Sequence, residues 1–273
     1  MFGGFIVLAL LAATALAGNF YSDVAPTFGG QRVQISDGGS VLSLSLDSSS
    51  GSGVESYNQY LYGRFDVGIK LVAGNSAGTV ATFFLSSQGS DHDEIDFEFL
   101  GNASGQPYTV HTNIYTGGIG DREQQFRLWF DPTEAFHIYT ILWNSHNIIF
   151  MVDGIPIRVF KNYISEGVGY PTFRPMNMLA SLWDAEDWAT EGGRIKTDWN
   201  AAPFTATYRN YVATGCAAGG SCDDAGGWES EVLDARGRKW IRWVQKYHMI
   251  YNYCTDVDRF PAGLPPECKL PRF

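Results

Sequence analysis

The sequence predicts an all-β protein built as a two-sheet sandwich or barrel, and three observations carry that expectation. Between residues 33 and 214, apolar residues recur in runs of strand length, several of them in strict alternation. Turn-forming residues punctuate those runs. Helical periodicity is nearly absent over the same span, as layered sheets require.

Taken in order, VLSLSL (41–46) alternates cleanly, and QYLYGRFDVGIKLV (59–72) reads as one long strand with Gly63 and Gly68 as bends or bulges. Strands follow over 78–87 and 94–101, then over 107–115, 124–130 and 136–143. Residues 147–160 read as two strands around Asp153-Gly154, a dipeptide suited to a tight hairpin turn. Strands over 175–183 and 204–213 complete the set. Beyond residue 215 a Gly-rich loop leads into 233–253, where Trp240, Trp243, Val244 and Tyr247 fall at helical spacing. This segment is expected to dock on the sandwich rather than lie on a membrane surface, because its apolar face is short.

Residues 1–17 form an uncharged apolar run ending Ala15-Leu16-Ala17, short for a membrane span and suited to removal as a secretion signal. A retained anchor is the rival reading. A secreted chain permits disulfides, and proximity favours Cys216–Cys222 and Cys254–Cys268 among three possible pairings. A zinc site is the rival there, although neither spacing matches the usual C-x-x-C pairs. The formal charge of −10 argues against nucleic acid or anionic lipid as partner. With 8 Trp, 14 Tyr and 18 Phe the chain is aromatic-rich, which serves a β core first and is also compatible with a neutral polysaccharide partner.

The stretch HDEIDFEFL (92–100) is the strongest functional signal. His92, Glu94, Asp96 and Glu98 occupy every second position, with Ile95, Phe97 and Phe99 between them, so one strand face is acidic and the other apolar. Exposed edge strands usually mix charge signs or use Lys, and no cation is interleaved here. Crowded carboxylates raise one pKa and leave another group ionised, which supplies an acid and an anion in one place. A hard-cation site and an inert surface are the alternatives, although Ca²⁺ loops draw ligands from a turning backbone. Retaining glycosidases place two carboxyl groups about 5–5.5 Å apart, whereas four residues of flat strand span about 13 Å. A bent, concave strand would have to close that difference.

Other segments suit a sugar cleft. SLWDAEDWATEGG (181–193) places Trp183 and Trp188 around Asp184, Glu186 and Asp187; aromatic faces stack on sugar rings and carboxylates bind hydroxyls. Trp183, ending an apolar strand, is equally readable as core. HTN (111–113) and DRE (121–123) add polar groups, and Asn102-Ala103-Ser104 is an N-glycosylation acceptor just past the acidic strand.

HDEIDFEFLGN with its Asn-x-Ser acceptor resembles the signature of plant xyloglucan endotransglycosylase/hydrolases, a branch of glycoside hydrolase family 16. The likeness continues through AGNSAGTV (73–80), SLWDAEDWAT (181–190), GGRIKTDWNAAPF (192–204) and the C-terminal YNYCTD…RFP…PPEC (251–268). It implies a bent β-jelly-roll over residues 18–215, a cleft across its concave sheet, and a disulfide-bearing C-terminal extension over 216–273. It also implies Glu94 as nucleophile, Glu98 as general acid/base, and Asp96 as the residue that orients and tunes Glu94. Glucan contacts are implied for Glu98, His111, Thr112, Asn113, Asp121, Arg122, Glu123, Asp187, Trp188, Gly192 and Arg259, to which the aromatic argument adds Trp183. His111 departs from the glutamine expected at its position. The acidic strand lacks the extra residue of bulged bacterial relatives. The short segment around the second tryptophan looks like the transferase form. The resemblance thus implies xyloglucan as donor and acceptor in the cell wall or apoplast, which agrees with the secretion signal read at residues 1–17. Nothing in the sequence indicates a cofactor, a metal or an obligatory oligomer, so a monomer is expected. A non-catalytic lectin on the same sandwich is the reading from a different class.

Overall fold

The computed structural model describes residues 18–220, 222 and 226–273, so the expected leader over 1–17 lies outside the described residues. A single turn, α1 (Phe20–Asp23), opens the chain, capped by the Asn19 side chain accepting from Tyr21 N. The strands are β1 (Val24–Phe28), β2 (Val33–Ser36), β3 (Val41–Leu46), β4 (Ser52–Lys70), β5 (Thr79–Ser86), β6 (Glu94–Leu100) and β7 (Thr109–Tyr115). After them come β8 (Gln124–Phe126), β9 (His137–Trp143), β10 (Asn147–Val152), β11 (Ile155–Lys161), β12 (Met176–Asp184) and β13 (Phe204–Ala217). Helix α2 (Ala235–Tyr247) and strand β14 (Met249–Asn252) end the series.

All pairings are antiparallel, and the two layers are joined through β4. Its first half, Ser52–Tyr60, pairs with β1 and β12, while Gly63–Lys70 pairs with β9 and β13. Tyr62, between the halves, has φ 72°, and the β4–β13 register shifts between Tyr60 and Gly63 and again between Asp66 and Gly68. The ladder is therefore irregular beside both glycines expected as bends or bulges. One layer therefore runs β1–β4–β12–β5–β6–β7–β8–β14, and the other β11–β10–β9–β4–β13–β3–β2. Ring contacts show the layers facing one another. Phe97 of β6 meets Tyr139 of β9 at 5.7 Å and Phe150 of β10 at 5.1 Å, both edge-on. Ile95, Phe97 and Phe99 are fully buried. Removing three such side chains from water contributes several kcal/mol, about 1.5–3 kcal/mol each, to fixing β6 in its register. The jelly-roll expectation holds.

Asp153 and Gly154 have φ values of 49° and 72°, and they join β10 to β11 as the hairpin expected of that dipeptide. Several element boundaries differ from the sequence-based expectation, three of them for reasons visible in the packing. The long strand begins at Ser52, because residues 52–58 already pair with β1 and β12. The strand expected over 124–130 stops at Phe126: Trp129 leaves the sheet plane to pack edge-on against Trp243 at 5.3 Å. The helix ends at Tyr247, and the chain then returns as β14 along the edge of β8. On that helix Ile241 and Val244 are buried, whereas Tyr247 is exposed and does not belong to the apolar face.

Candidate active site

Register alone assembles the centre of the site. In an antiparallel pair, residues directly opposite share a face. β6 pairs with β7 without a bulge, setting Glu94 opposite Tyr115, Asp96 opposite Asn113 and Glu98 opposite His111. On the other side, β5 places Ser86, Phe84 and Thr82 beside the same three carboxylates. β12 continues the Glu98 row with Ser181, which hydrogen-bonds Thr82 at 2.7 Å. The acidic face thus lies across the middle of a sheet and is not an edge.

Electrostatics then separate the carboxyl groups. Burial is the main cause that pushes Glu98 up to about 7, and the charges of Glu94 and Glu123 add to it. Asp96 is deeply buried, and its carboxyl is held well above the usual range by desolvation, by the charges of Glu94 and Glu98, and by a hydrogen bond shared with Glu94. Its Oδ1 has no donor from the protein, which fits a carboxyl that carries its own proton. Two histidines flank the row: His92 Nε2 lies 3.8 Å from Glu94 and His111 Nε2 3.7 Å from Glu98. Burial lowers His111 to about 4, so its contact with Glu98 is not an ion pair near neutral pH. Gln125 Nε2 donates to His111 Nδ1 at 3.1 Å, leaving the imidazole proton on Nε2, toward Glu98. His92 stacks on Tyr115 with centroids 5.3 Å apart. Tyr115 is pushed up to about 12 by burial and then by the acidic groups Asp96, Glu94, Glu98 and Glu123, and so keeps its hydroxyl proton.

The loop after β12 supplies the aromatic wall. Thr190 Oγ1 donates to Gly101 O and accepts from Gly78 N, tying the loop to the end of β6. Asp184 and Glu186 both serve Thr197, accepting from its hydroxyl and its backbone N–H respectively. Held this way, Trp188 stays 39% exposed, edge-on to His111 at 6.3 Å and 6.1 Å from half-buried Trp183. Asp187 points to solvent beside Lys196 at 3.1 Å, and Gly192, at φ 68°, has open space around its Cα.

A second cluster forms beyond β7. Arg259, from the C-terminal extension, donates to Glu123 through both terminal nitrogens at 2.6 and 3.0 Å, and to Asp121 at 2.6 Å. Two sequence-based contacts are corrected. Thr112 is fully buried on the core face, opposite Phe97, so its side chain cannot reach the cleft. Arg122 turns inward to Glu267 at 2.8 Å and over the Phe160 ring. Asn113 is on the cleft face, but its Oδ1 is occupied by the backbone N–H groups of Ile114 and Arg122. The sequence reading assigned no role to Tyr115, His92 or Gln125. Alternation through 107–115 is the signal that would have selected Tyr115 and rejected Thr112.

Asn102 lies two residues past the end of β6, with Nδ2 donating to Pro107 O at 3.1 Å. The cysteines pair as expected, Cys216–Cys222 and Cys254–Cys268, which leaves no thiolate for zinc among the described residues.

Comparison with known proteins now decides the family. The model for glycosyl hydrolases family 16 matches residues 20–201, and that for the xyloglucan endo-transglycosylase C-terminus matches 222–268. The chain belongs to glycosyl hydrolases family 16. It is 58% identical to xyloglucan endotransglucosylase protein 1 of Diospyros kaki, covering 98% of this chain and 95% of that one. It is also 58% identical to xyloglucan endotransglucosylase/hydrolase 2 of Glycine max, over 97% and 93% of the two chains. Among solved structures, a prokaryotic β-1,3-1,4-glucanase (lichenase) from a mouse hindgut metagenome superposes with a TM-score of 0.57 at 26% identity, covering 72% of this chain and 96% of that one. The family-16 sandwich is therefore common to both, and the C-terminal match is what groups this chain with the xyloglucan enzymes.

Proposed function

We propose that this protein is a retaining xyloglucan endotransglucosylase, secreted to the plant cell wall. The observation that carries the reading is the Glu94–Asp96–Glu98 row, in which Glu98 keeps its proton to about pH 7 beside a partner carboxylate. Glu94 attacks the anomeric carbon of an internal β-1,4-glucosyl unit while Glu98 gives its proton to the departing oxygen. The C–O bond breaks, the reducing-end fragment leaves as an alcohol, and the donor chain remains as an ester on Glu94. Asp96 orients Glu94 through their shared hydrogen bond. Glu98, now a carboxylate, takes the proton of an incoming sugar hydroxyl as that oxygen displaces Glu94. Two inversions give net retention. Trp188 and Trp183 supply stacking faces, and Arg259, Asp121 and Glu123 form a polar rim for hydroxyls. Residues 18–215 form the catalytic unit, and 216–273 complete its rim.

Sugar rather than water is the favoured acceptor, because the segment around Trp188 resembles the transferase form and is tied down at Thr190 and Thr197, which fixes Trp183 and Trp188 as a stacking wall. The test incubates xyloglucan with a labelled xyloglucan oligosaccharide and follows label incorporation and new reducing ends together. Label in long chains without new reducing ends is expected; reducing ends without label would make the protein a hydrolase. Glu94→Ala separates catalysis from a lectin-like role. It should abolish turnover and leave polysaccharide binding, whereas a wild-type protein that binds xyloglucan and never changes its length would be a lectin.

A further inference from the structure

Arg158, on β11, is 2% exposed and points into the interior between the two layers. Its Nη1 donates to Thr112 O and Thr112 Oγ1, both at 2.8 Å, and its Nη2 to Arg122 O at 2.6 Å. The guanidinium also lies 5.5 Å from the Phe150 ring centre. Among the described residues no carboxylate lies within ion-pair distance of it. A cation buried without a counter-ion costs stability, and an apolar side chain would fill the space at lower cost. Its position suggests what offsets that cost. Thr112 sits between His111 and Asn113, which face the cleft from the other side of the same strand. The Arg122 carbonyl belongs to the segment that carries Asp121 and Glu123.

We propose that Arg158 is a positioning residue of the catalytic site: it clamps β7 to the segment ahead of β8 and supplies the carboxylate row with positive charge from behind the sheet. One planar fork spans both carbonyls, which a single ammonium cannot do with the same geometry. The titratable groups around it are Asp96 on β6, His111 on β7, Arg122 and Glu123 ahead of β8, and Tyr253 after β14. Its charge acts on two of them in the same direction, opposing the rise of Asp96 and adding to the fall of His111. Burial lowers the guanidinium itself to about 10, so it remains a cation wherever the enzyme is folded and active.

The proposal rests on reading the carboxylate row as the catalytic site, and the test separates the two. The His111 imidazole is titrated by NMR, without substrate, in wild type, Arg158→Met and Arg158→Lys. Arg158→Met should raise the His111 midpoint by about one pH unit, on the scale of one neighbouring charge. It should also move the acid limb of kcat/KM to higher pH. Arg158→Lys should leave the midpoint in place and lower kcat about tenfold, the equivalent of one misplaced hydrogen bond. An unchanged midpoint in Arg158→Met overturns the electrostatic role. Wild-type kcat in Arg158→Lys overturns the clamp. Should Arg158→Met not fold, His111 in Arg158→Gln gives the same reading of the charge. A wild-type protein without transfer activity would refute the functional reading alone, and the titration would still decide the charge.

Discussion

Glu98 holds its proton at a pH where an exposed glutamate has lost it, chiefly because it is buried and then because Glu94 and Glu123 lie near it. The folded protein binds this proton more tightly than the unfolded chain. Its contribution to stability is therefore fully present below the unfolded value of 4.5 and is lost as pH rises through about 7. Glu98→Gln removes that loss. The variant should lose about 10²–10⁴-fold in kcat, the usual share of a general acid, yet melt at a higher temperature than wild type at pH 8 and not at pH 4. Calorimetry at the two pH values checks it. His111 has the opposite sign: its folded value of about 4 lies below the ordinary 6.5, so its contribution is present above 6.5 and is lost as pH falls through about 4. His111→Gln should flatten the fall in melting temperature over that window. Much of this residue-level chemistry was legible, because alternation alone put Glu94, Asp96 and Glu98 on one face. What the sequence reading lacked was the same rule applied to the neighbouring strand. Taking 111–113 as three consecutive contacts assigned Thr112 to the cleft, whereas period two gives His111, Asn113 and Tyr115.

Local signals foretold strands well where each strand carried its own pattern. The Asp153-Gly154 hairpin and the β6 alternation needed no distant partner. Boundaries set from afar were hidden: β8 stops because Trp129 is drawn to Trp243, more than a hundred residues away in the chain. Two glycines separate these levels experimentally. Gly154 has φ 72° and empty space around it, so Gly154→Ala meets only the left-handed backbone penalty of about 1–2 kcal/mol. Gly101, at the end of β6, has an ordinary backbone, but a Cβ there would fall 1.9 Å from the Ser76 carbonyl oxygen. Gly101→Ala should therefore be the more damaging change, costing about 3 kcal/mol by overpacking. It should also lower kcat, since the Gly101 carbonyl accepts from the Thr190 hydroxyl that holds the Trp188 loop. Denaturant melts and initial rates on the two variants test the order; equal stability losses would refute it.

At the scale of the whole molecule, the C-terminal extension is part of the sandwich. β14 adds a strand to the cleft sheet at β8, α2 packs on β11, and Cys254–Cys268 joins β14's exit to the segment carrying Glu267. Two arginine contacts from this region have opposite characters. Arg122 and Glu267 have side chains only 11% and 7% exposed, and Tyr253 OH adds a hydrogen bond to the same carboxylate at 3.2 Å. Arg259 is 32% exposed and pairs with carboxylates on the cleft rim. Breaking a buried pair strands a charge and costs about 3–5 kcal/mol, whereas an exposed pair contributes about 0–1 kcal/mol. Glu267→Ala should therefore lower the melting temperature sharply, and the Arg122→Ala, Glu267→Ala double variant should be less destabilised than the two single changes summed. Arg259→Ala should leave melting within about 1 kcal/mol of wild type and instead raise KM for xyloglucan, because Asp121 and Glu123 lose the cation that holds them on the rim. Charge release there also bears on catalysis. Glu123 without its bidentate partner adds to the repulsion already felt by Glu98, so the alkaline limb of kcat in Arg259→Ala should move to higher pH. A limb that stays in place, or moves down, would show that Glu123 does not act on the acid/base residue.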